Sequence, residues 1–242
     1  MLSQKEKHQL KTYCESNSEL ASILQHLEAS HRMEISQISH EIRNPVTLIN
    51  SYLQLTQTQH PEVSDFSTWT PLTENMTYLK ILLEDLSLYN NSCTLHKSSV
   101  SLSKLLTDLQ TDYHNTHPDL AITLQITDPI PYGCFDQIKL RSVFSNIIRN
   151  AIEAPCGDCK KEIILSLTYS DCFHITIANN GLPIPEEHIS SLFDPFVTHK
   201  SDGTGLGLAI VKNIIDSHNG TVFVESTKEL TCFKIHLPLY LD

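Results

Sequence analysis

The apolar residues of this chain change their period part-way along, and that change limits the fold more than any other feature. From about Leu20 to Asn90 the spacing is helical. Leu20, Leu24, Leu27, His31, Ile35, Ile38, Ile42, Val46, Ile49 and Leu53 recur at intervals of three and four, which places one stripe along one side of a helix. The consecutive fours through His31 and Ile35 break a strict heptad, as a stutter does. The stretch TQTQHPEVSDFSTWTP at 56–71, rich in proline and polar residues, reads as a loop. Leu72, Met76, Leu79, Leu83 and Leu86 then resume the stripe. The expectation is a hairpin of two long helices. Two helices alone bury little apolar surface, so each stripe needs partners. A dimer forming a four-helix bundle supplies them; packing on the rest of the same chain is the alternative.

From Ser98 onward the period falls to two. Ile122, Leu124 and Ile126 alternate with other residues, as do Ile163, Leu165 and Leu167, then Phe173, Ile175 and Ile177, and finally Phe233, Ile235 and Leu237. These are half-buried strands. Helical stretches lie between them near 102–114, 136–153 and 206–218. The pattern implies an α/β sandwich behind the helical hairpin, with the boundary near NNSCTLHKSS at 90–99.

Seventeen basic residues against twenty-eight acidic ones give a net charge of −11. Such a chain lacks the basic field that general nucleic-acid binding requires, although a nucleotide pocket needs only local groups. No apolar run reaches about 18 residues, so no membrane-spanning helix is expected, and the start MLSQKEKHQLKTYC lacks the apolar core of a signal peptide. A cytoplasmic chain, or a soluble piece of a longer one, is the expectation. Seven cysteines with irregular spacing do not form a disulfide framework. Cys156 and Cys159 have metal or redox spacing but no second close pair. Cys172 is a third ligand only if the fold brings it there; the alternative is an ordinary reduced loop pair.

The chain holds seven glycines in 242 residues, and Gly203, Gly205 and Gly207 fall within the five positions of GTGLG. The pattern is neither a P-loop nor a dinucleotide fingerprint. Its physics still suits an anion. Glycines let backbone N–H groups converge on a ligand, and a helix beginning near Leu206 adds unpaired N–H groups and a positive dipole end. Lys200 stands just before. A flexible hinge is the alternative. Upstream, SNIIRNAIEA at 145–154 places Asn146 and Asn150 four apart, on one helix face. Two amides so placed serve Mg²⁺ and phosphate, or else form a solvated polar face. A third segment, IANNGLPIP at 177–185, runs a strand into an Asn-Gly turn, where Asn179 can meet a base edge or the turn can be a plain one.

Together and in this order, these segments resemble the ATP-binding domain of sensor histidine kinases, within the wider group of Hsp90-type and gyrase-type ATPases. SNIIRNAIEA resembles the N box, NNGLPIP the first glycine box, LFDPFVTHK the F box, and GTGLGLAIVKNIIDSHNG the second glycine box. In the first half, SHEIRNPVTLI at 39–49 resembles the phosphoacceptor box, and LKILLEDLSLYN the second helix of the dimerisation domain. The resemblance covers about residues 30 to 240. It implies a helical lead-in at 1–29 that transmits a signal, a dimerisation and phosphotransfer domain at 30–94, and a catalytic ATP-binding domain at 95–242. It also implies that Asn150 coordinates Mg²⁺, that Asn146, Lys200 and the backbone of Gly203, Thr204, Gly205, Leu206, Gly207 and Leu208 hold the triphosphate, that adenine sits near Asn179 and Gly181, and that residues from about 186 to 204 form a lid. Two departures stand out: the first glycine box begins with Asn179 where Asp is usual, and Pro183 replaces a usual second glycine.

Among thirteen histidines, His40 differs in its company: Glu41 follows it, and Asn44 and Pro45 lie one turn on. A histidine of ordinary pKa, about 6.5, is mostly neutral near pH 7 and so can attack a γ-phosphate. Glu41 can take the proton from the far ring nitrogen, help typically worth about 10²–10⁴ in rate. Pro45 lacks an N–H and crowds the carbonyl one turn back, which implies a local bend after His40. By the resemblance, Asn44 orients a water that dephosphorylates a partner's aspartyl phosphate. Asn146 stands where the related ATPases carry a glutamate that activates water, which favours transfer to His40 over hydrolysis. The reading is therefore a histidine kinase core using ATP and Mg²⁺. It is a homodimer through its hairpin, it receives its signal from an upstream sensor, and its phosphoryl group passes to a response-regulator receiver domain, with phosphatase activity as a further possibility. A degenerate ATP-binding docking module and a hydrolytic ATPase are the alternatives.

Overall fold

The computed structural model describes Tyr13 and residues 17–127, 129–157, 159–200 and 203–239. Of the expected lead-in at 1–29, residues 1–12 and 14–16 lie outside these. The chain divides into two compact units, Met1–Asn90 and Asn91–Asp242.

Helix α1 of the first unit runs Ser18–Gln59, 42 residues, or roughly 63 Å at 1.5 Å per residue. The Asn17 side chain starts it by accepting from the N–H groups of Glu19 and Leu20, two donors that the first turn leaves without helical partners. The helix is continuous through Pro45. The loop expected at 56–71 is shorter than its composition suggests. Thr56 and Thr58 remain helical, their hydroxyls donating back to the carbonyls of Tyr52 and Gln54 at 2.8 Å each. The helix stops at His60, because Pro61 disfavours the helical conformation in the residue before it. A single 3-10 turn follows over Pro61–Asp65, and helix α2 begins at Trp69 (Trp69–Asn91). Pro71 is tolerated because N–H groups in a first turn have no helical acceptor.

Val46, Met76 and Leu83 are buried where the two helices meet, with Leu53 and Leu79 packed against them. Part of the sequence stripe does not point there: Ile35, Ile38, Ile42 and Ile49 on α1 and Leu72 on α2 stay exposed, as do Ile81 and Leu88 outside the stripe.

The second unit holds strands β1 (Ser98–Val100), β2 (Ala121–Ile126), β3 (Gly133–Phe135), β4 (Glu162–Tyr169), β5 (Cys172–Asn179), β6 (Thr221–Ser226) and β7 (Thr231–Pro238). Its helices are α3 (Leu102–Thr116), α4 (Gln137–Glu153), the short α5 (Glu186–Ile189) and α6 (Gly207–Ser217). The main sheet has the order β2-β4-β5-β7-β6. β2 and β4 are parallel; the other pairs are antiparallel. β1 and β3, too short to show a period, form a separate antiparallel pair. In the β5–β7 register Phe173 faces Leu237, Ile175 faces Ile235 and Ile177 faces Phe233, and all six are buried. Helices α3, α4 and α6 pack on the sheet and α4 packs against both others, so Phe144, Ile147, Ile148, Ile210, Val211 and Ile214 close a two-layer core. Each such side chain contributes about 1.5–3 kcal/mol of apolar burial.

A buried polar joint sets where α4 starts and α6 ends. Asp136 caps α4, accepting at Oδ1 from the Lys139 N–H and at Oδ2 from the His96 N–H. Its own N–H donates to Nε2 of His218, 3.0 Å away, while His218 Nδ1 donates to the carbonyl of Ile214 at 2.8 Å. Burial alone would raise the Asp136 pKa, but the two backbone donors and Lys139 outweigh it and hold the carboxyl below its ordinary value. Burial lowers the pKa of His218, and a ring that accepts on one nitrogen and donates from the other is neutral.

Candidate active site

The last two turns of α4 and Ala154, which caps its C-terminal end, organise the second unit's candidate site. Asn146, Asn150 and Ala154 follow one another at intervals of four, so they rise along one helix face over roughly 12 Å. Each meets a different sequence motif.

At Asn146 the glycine cluster arrives. A Cβ on Gly207 would lie 3.1 Å from Asn146 Oδ1. Asn146 is only 6% exposed, so the solvated-face reading does not hold for it. Its Nδ2 donates to the Ser142 carbonyl at 3.0 Å and its Oδ1 accepts from Arg149 at 2.6 Å. The other glycines answer to their own chain. Gly205 has φ +68, and a Cβ there would lie 2.6 Å from the Phe196 carbonyl carbon. The Phe196 N–H donates to the Gly205 carbonyl at 2.9 Å. A Cβ on Gly203 would lie 2.4 Å from Thr198 Oγ1. The cluster therefore lets the loop lie directly on segment 196–200, a role the sequence did not reveal. Thr204 Oγ1 accepts from the Leu206 N–H at 3.3 Å, Leu206 is fully buried, and Leu208 lies in the first turn of α6. Among the described residues no side chain caps that helix at its start, and the first N–H groups and positive dipole end of such a helix suit an anion.

At Asn150 the lysine arrives. Lys200 Nζ donates to Asn150 Oδ1 at 2.9 Å and pairs with Glu153 Oε2 at 2.5 Å. Two oxygens of α4 thus already surround a positive charge. Glu153, one turn beyond Asn150 on the same face, was not singled out from the sequence; its i+3 spacing was the available signal.

At Ala154 the first glycine box arrives. A Cβ on Gly181 would lie 2.7 Å from Asn179 Nδ2 and 2.8 Å from the Ala154 Cβ. Asn179, at the end of β5, is buried. The adjacent Asn180 is a clamp: its Oδ1 accepts from the Glu162 N–H at 2.9 Å and its Nδ2 donates to the Lys160 carbonyl at 2.8 Å. Around Pro183 the chain is tied by Leu182 N–H to the Pro155 carbonyl and by Ile184 N–H to Ser226 Oγ. In the expected lid the rings of His188 and His199 stack with centroids 3.6 Å apart; residues 201 and 202 lie outside the described residues. Cys172 does not reach the Cys156–Cys159 pair. Cys159 lies near Asn180, just past one end of β5, whereas Cys172 begins the strand at the other.

In the first unit His40, Glu41 and Asn44 are exposed on α1. Arg43, which the sequence reading passed over, lies with one guanidinium nitrogen 3.3 Å from His40 Nδ1 and another 3.4 Å from the Leu83 carbonyl. A guanidinium only donates, so in this conformation Nδ1 accepts. Glu41 Oε1 accepts from Gln37 at 3.2 Å.

Residues 135–241 match the family described as histidine kinase-, DNA gyrase B- and HSP90-like ATPase. The chain is 35% identical over 208 residues to sporulation kinase A of Bacillus subtilis, covering 83% of this chain and 33% of that protein. Residues 135–241 belong to that ATPase family, and the chain is similar to histidine kinases over most of its length. The chain spans about a third of that relative's length. Its fold is also that of the full-length structure of ShkA in complex with AMPPNP, with a TM-score of 0.73 and 20% identity over 87% of this chain and 46% of the other. It is likewise that of the histidine kinase ThkA in complex with the response regulator protein TrrA, with a TM-score of 0.61 and 23% identity over 96% of this chain and 66% of the other. No described helix of the chain is long and apolar enough to cross a membrane.

Proposed function

We propose that the chain is a sensor kinase core that transfers the γ-phosphoryl group of ATP to His40 and passes it to an aspartate of a response-regulator receiver domain. The observation that carries this reading is the alignment along α4. The glycine loop and the uncapped start of α6 lie at Asn146, Lys200 at Asn150, and Asn179 and Gly181 at Ala154. An extended nucleotide fits that order, with its phosphates at the α6 end and its base at the β5 end. Backbone N–H groups of the loop and first turn of α6 would hold the phosphates. Lys200 would exchange the Glu153 carboxylate for a phosphate oxygen.

Asn150 Oδ1 and Glu153 Oε2, now around the Lys200 ammonium, are the hard oxygen donors that Mg²⁺ selects. When bound, Mg²⁺ neutralises charge on the phosphate oxygens. Asn146 has no carboxylate with which to activate water, so transfer is favoured over hydrolysis.

At the acceptor, Nε2 of His40 attacks the γ-phosphorus as the bond to the departing ADP oxygen breaks, and the proton on Nδ1 is taken by Glu41. That step requires Arg43 to leave Nδ1, the ring proton to move from Nε2 to Nδ1 through solvent, and Glu41 to leave Gln37, exchanges open to side chains at the surface. Asn44, one turn on, would orient the water for dephosphorylating the regulator. The exposed Ile35, Ile38, Ile42 and Ile49 support a homodimer whose paired hairpins form a four-helix bundle.

Incubation with γ-labelled ATP and Mg²⁺ tests the proposal. The label is expected on protein, lost in acid, stable in base, and absent from His40→Gln. Label on serine, or label that persists in His40→Gln, would refute it.

A further inference from the structure

The sheet face turned away from the helices carries a second group of side chains with chemistry of its own. β4 and β5 are joined by a tight turn in which the Ser170 N–H donates to the Cys172 carbonyl at 3.2 Å. Along β5 the alternation sends Phe173 and Ile175 into the core and leaves Cys172 and His174 half-buried on the opposite face. Asp171 stands exposed at the turn beside them.

His174 Nε2 lies 3.4 Å from Cys172 Sγ and 3.4 Å from Asp171 Oδ1. The three donor atoms lie within 4.8 Å of one another. A tetrahedral Zn²⁺, with bonds of about 2.3 Å to sulfur and about 2.0–2.1 Å to nitrogen and oxygen, sets its ligands about 3.6 Å apart for S···N and about 3.3 Å for N···O. Both distances from His174 Nε2 lie within about 0.2 Å of that spacing, and an ion there would displace Ser170 Oγ, which lies 3.1 Å from the same nitrogen. The imidazole is also held from behind. His174 pairs across the sheet with His236 of β7, their rings meet edge to face at 4.6 Å, and Phe223 of β6 meets His236 at 5.3 Å. Ser170 Oγ donates to Asp171 Oδ1 at 2.6 Å and orients the carboxylate.

We propose that Asp171, Cys172 and His174 form a binding site for a borderline divalent transition-metal ion, Zn²⁺ foremost, with water in the fourth position. One thiolate, one imidazole and one carboxylate are a set that suits zinc and not Mg²⁺, which prefers oxygen ligands alone. Zinc binds cysteine as the thiolate, so the Cys172 thiol would release its proton on binding. The site lies at the end of β5 opposite Asn179, roughly 23 Å along the strand at 3.3 Å per residue. Its ion therefore clamps the β4–β5 turn to the sheet and takes no part in phosphoryl transfer.

Co²⁺ titration of tag-free, metal-stripped protein, followed by Zn²⁺ competition, tests the site. A thiolate-to-Co²⁺ charge-transfer band displaced by one equivalent of Zn²⁺ is expected. It should vanish in Cys172→Ser, weaken by at least about tenfold in His174→Ala, and persist in the double variant Cys156→Ser/Cys159→Ser. Retained ATP binding in each variant shows that the unit is folded. A wild-type spectrum without the band, or a band lost from the Cys156/Cys159 double variant and kept in Cys172→Ser, overturns the proposal.

Discussion

Replacing Gly205 by alanine separates a glycine needed by the fold from one that merely permits flexibility. Gly205 has φ +68, and a Cβ there would stand 2.6 Å from the carbonyl carbon of Phe196, 2.8 Å from its Cα and 2.9 Å from the Val197 nitrogen. All three are backbone atoms, so no side-chain rotation relieves the overlap. The left-handed conformation costs alanine about 1–2 kcal/mol. Displacing Phe196 also breaks its N–H bond to the Gly205 carbonyl, worth about 0.5–1.5 kcal/mol. The expected loss of unfolding free energy is about 2–4 kcal/mol once backbone displacement is included. Gly157 is the control, with φ +59 and nothing within 4 Å of its added Cβ, so alanine there should cost only the conformational part, about 1–2 kcal/mol. At Gly203 the added methyl meets chiefly the Thr198 side chain, which can rotate, and the effect should be milder than at Gly205. Because segment 196–200 carries Lys200, Gly205→Ala should also weaken ATP binding by at least about tenfold, some 1.4 kcal/mol, while Gly157→Ala leaves it nearly unchanged. Urea unfolding and calorimetric ATP titration read the two quantities. Equal destabilisation of the two variants, or unaltered ATP affinity in Gly205→Ala, would refute the reasoning.

Gly181→Ala drives a methyl against Asn179 Nδ2 and Ala154; adenine-nucleotide affinity should fall by at least about tenfold in the same calorimetric assay. Glu153→Gln removes the negative charge paired with Lys200. Since both members of that pair are more than a third exposed, stability should change by less than about 1 kcal/mol, while the Mg²⁺ concentration for half-maximal phosphorylation of His40 should rise several-fold. His218 is held neutral by burial, its pKa below the ordinary value. The unfolded chain then takes up a proton before the folded one does, so stability is full above about pH 6.5 and is lost as pH falls from there through the folded pKa. His236, also lowered by burial, acts in the same sense. In pH-dependent unfolding, His218→Gln should flatten this acid-side slope without abolishing it.

The two periods of the apolar residues are local properties of the chain, and they were enough to place a helical hairpin ahead of an α/β sandwich. The buried faces of β4, β5 and β7 follow the alternation of Ile163, Phe173 and Phe233 and their neighbours directly, because a strand's two faces are set by residue parity. The short β1 and β3 had no period to display. The 56–59 segment was misread because proline and polar residues suggested a loop across 56–71, while threonine hydroxyls can bond back to the helix that carries them.

The site divides along the same line. Sequence alone singled out Asn146, Asn150, Lys200 and the glycines, since residue type and spacing are written in the chain. It could not say that Asn180 is consumed as a clamp, that Glu153 already holds Lys200, that Arg43 holds His40, or that Gly205 is glycine because Phe196 lies against it. Those facts depend on which distant backbones approach one another. Nor could it join Cys172 and His174 to a wall made by His236, whose strand lies some sixty residues further on. Periodicity chooses each element and its buried face by itself, whereas contacts between elements exist only once sheet register and helix packing have brought separated residues within bonding distance.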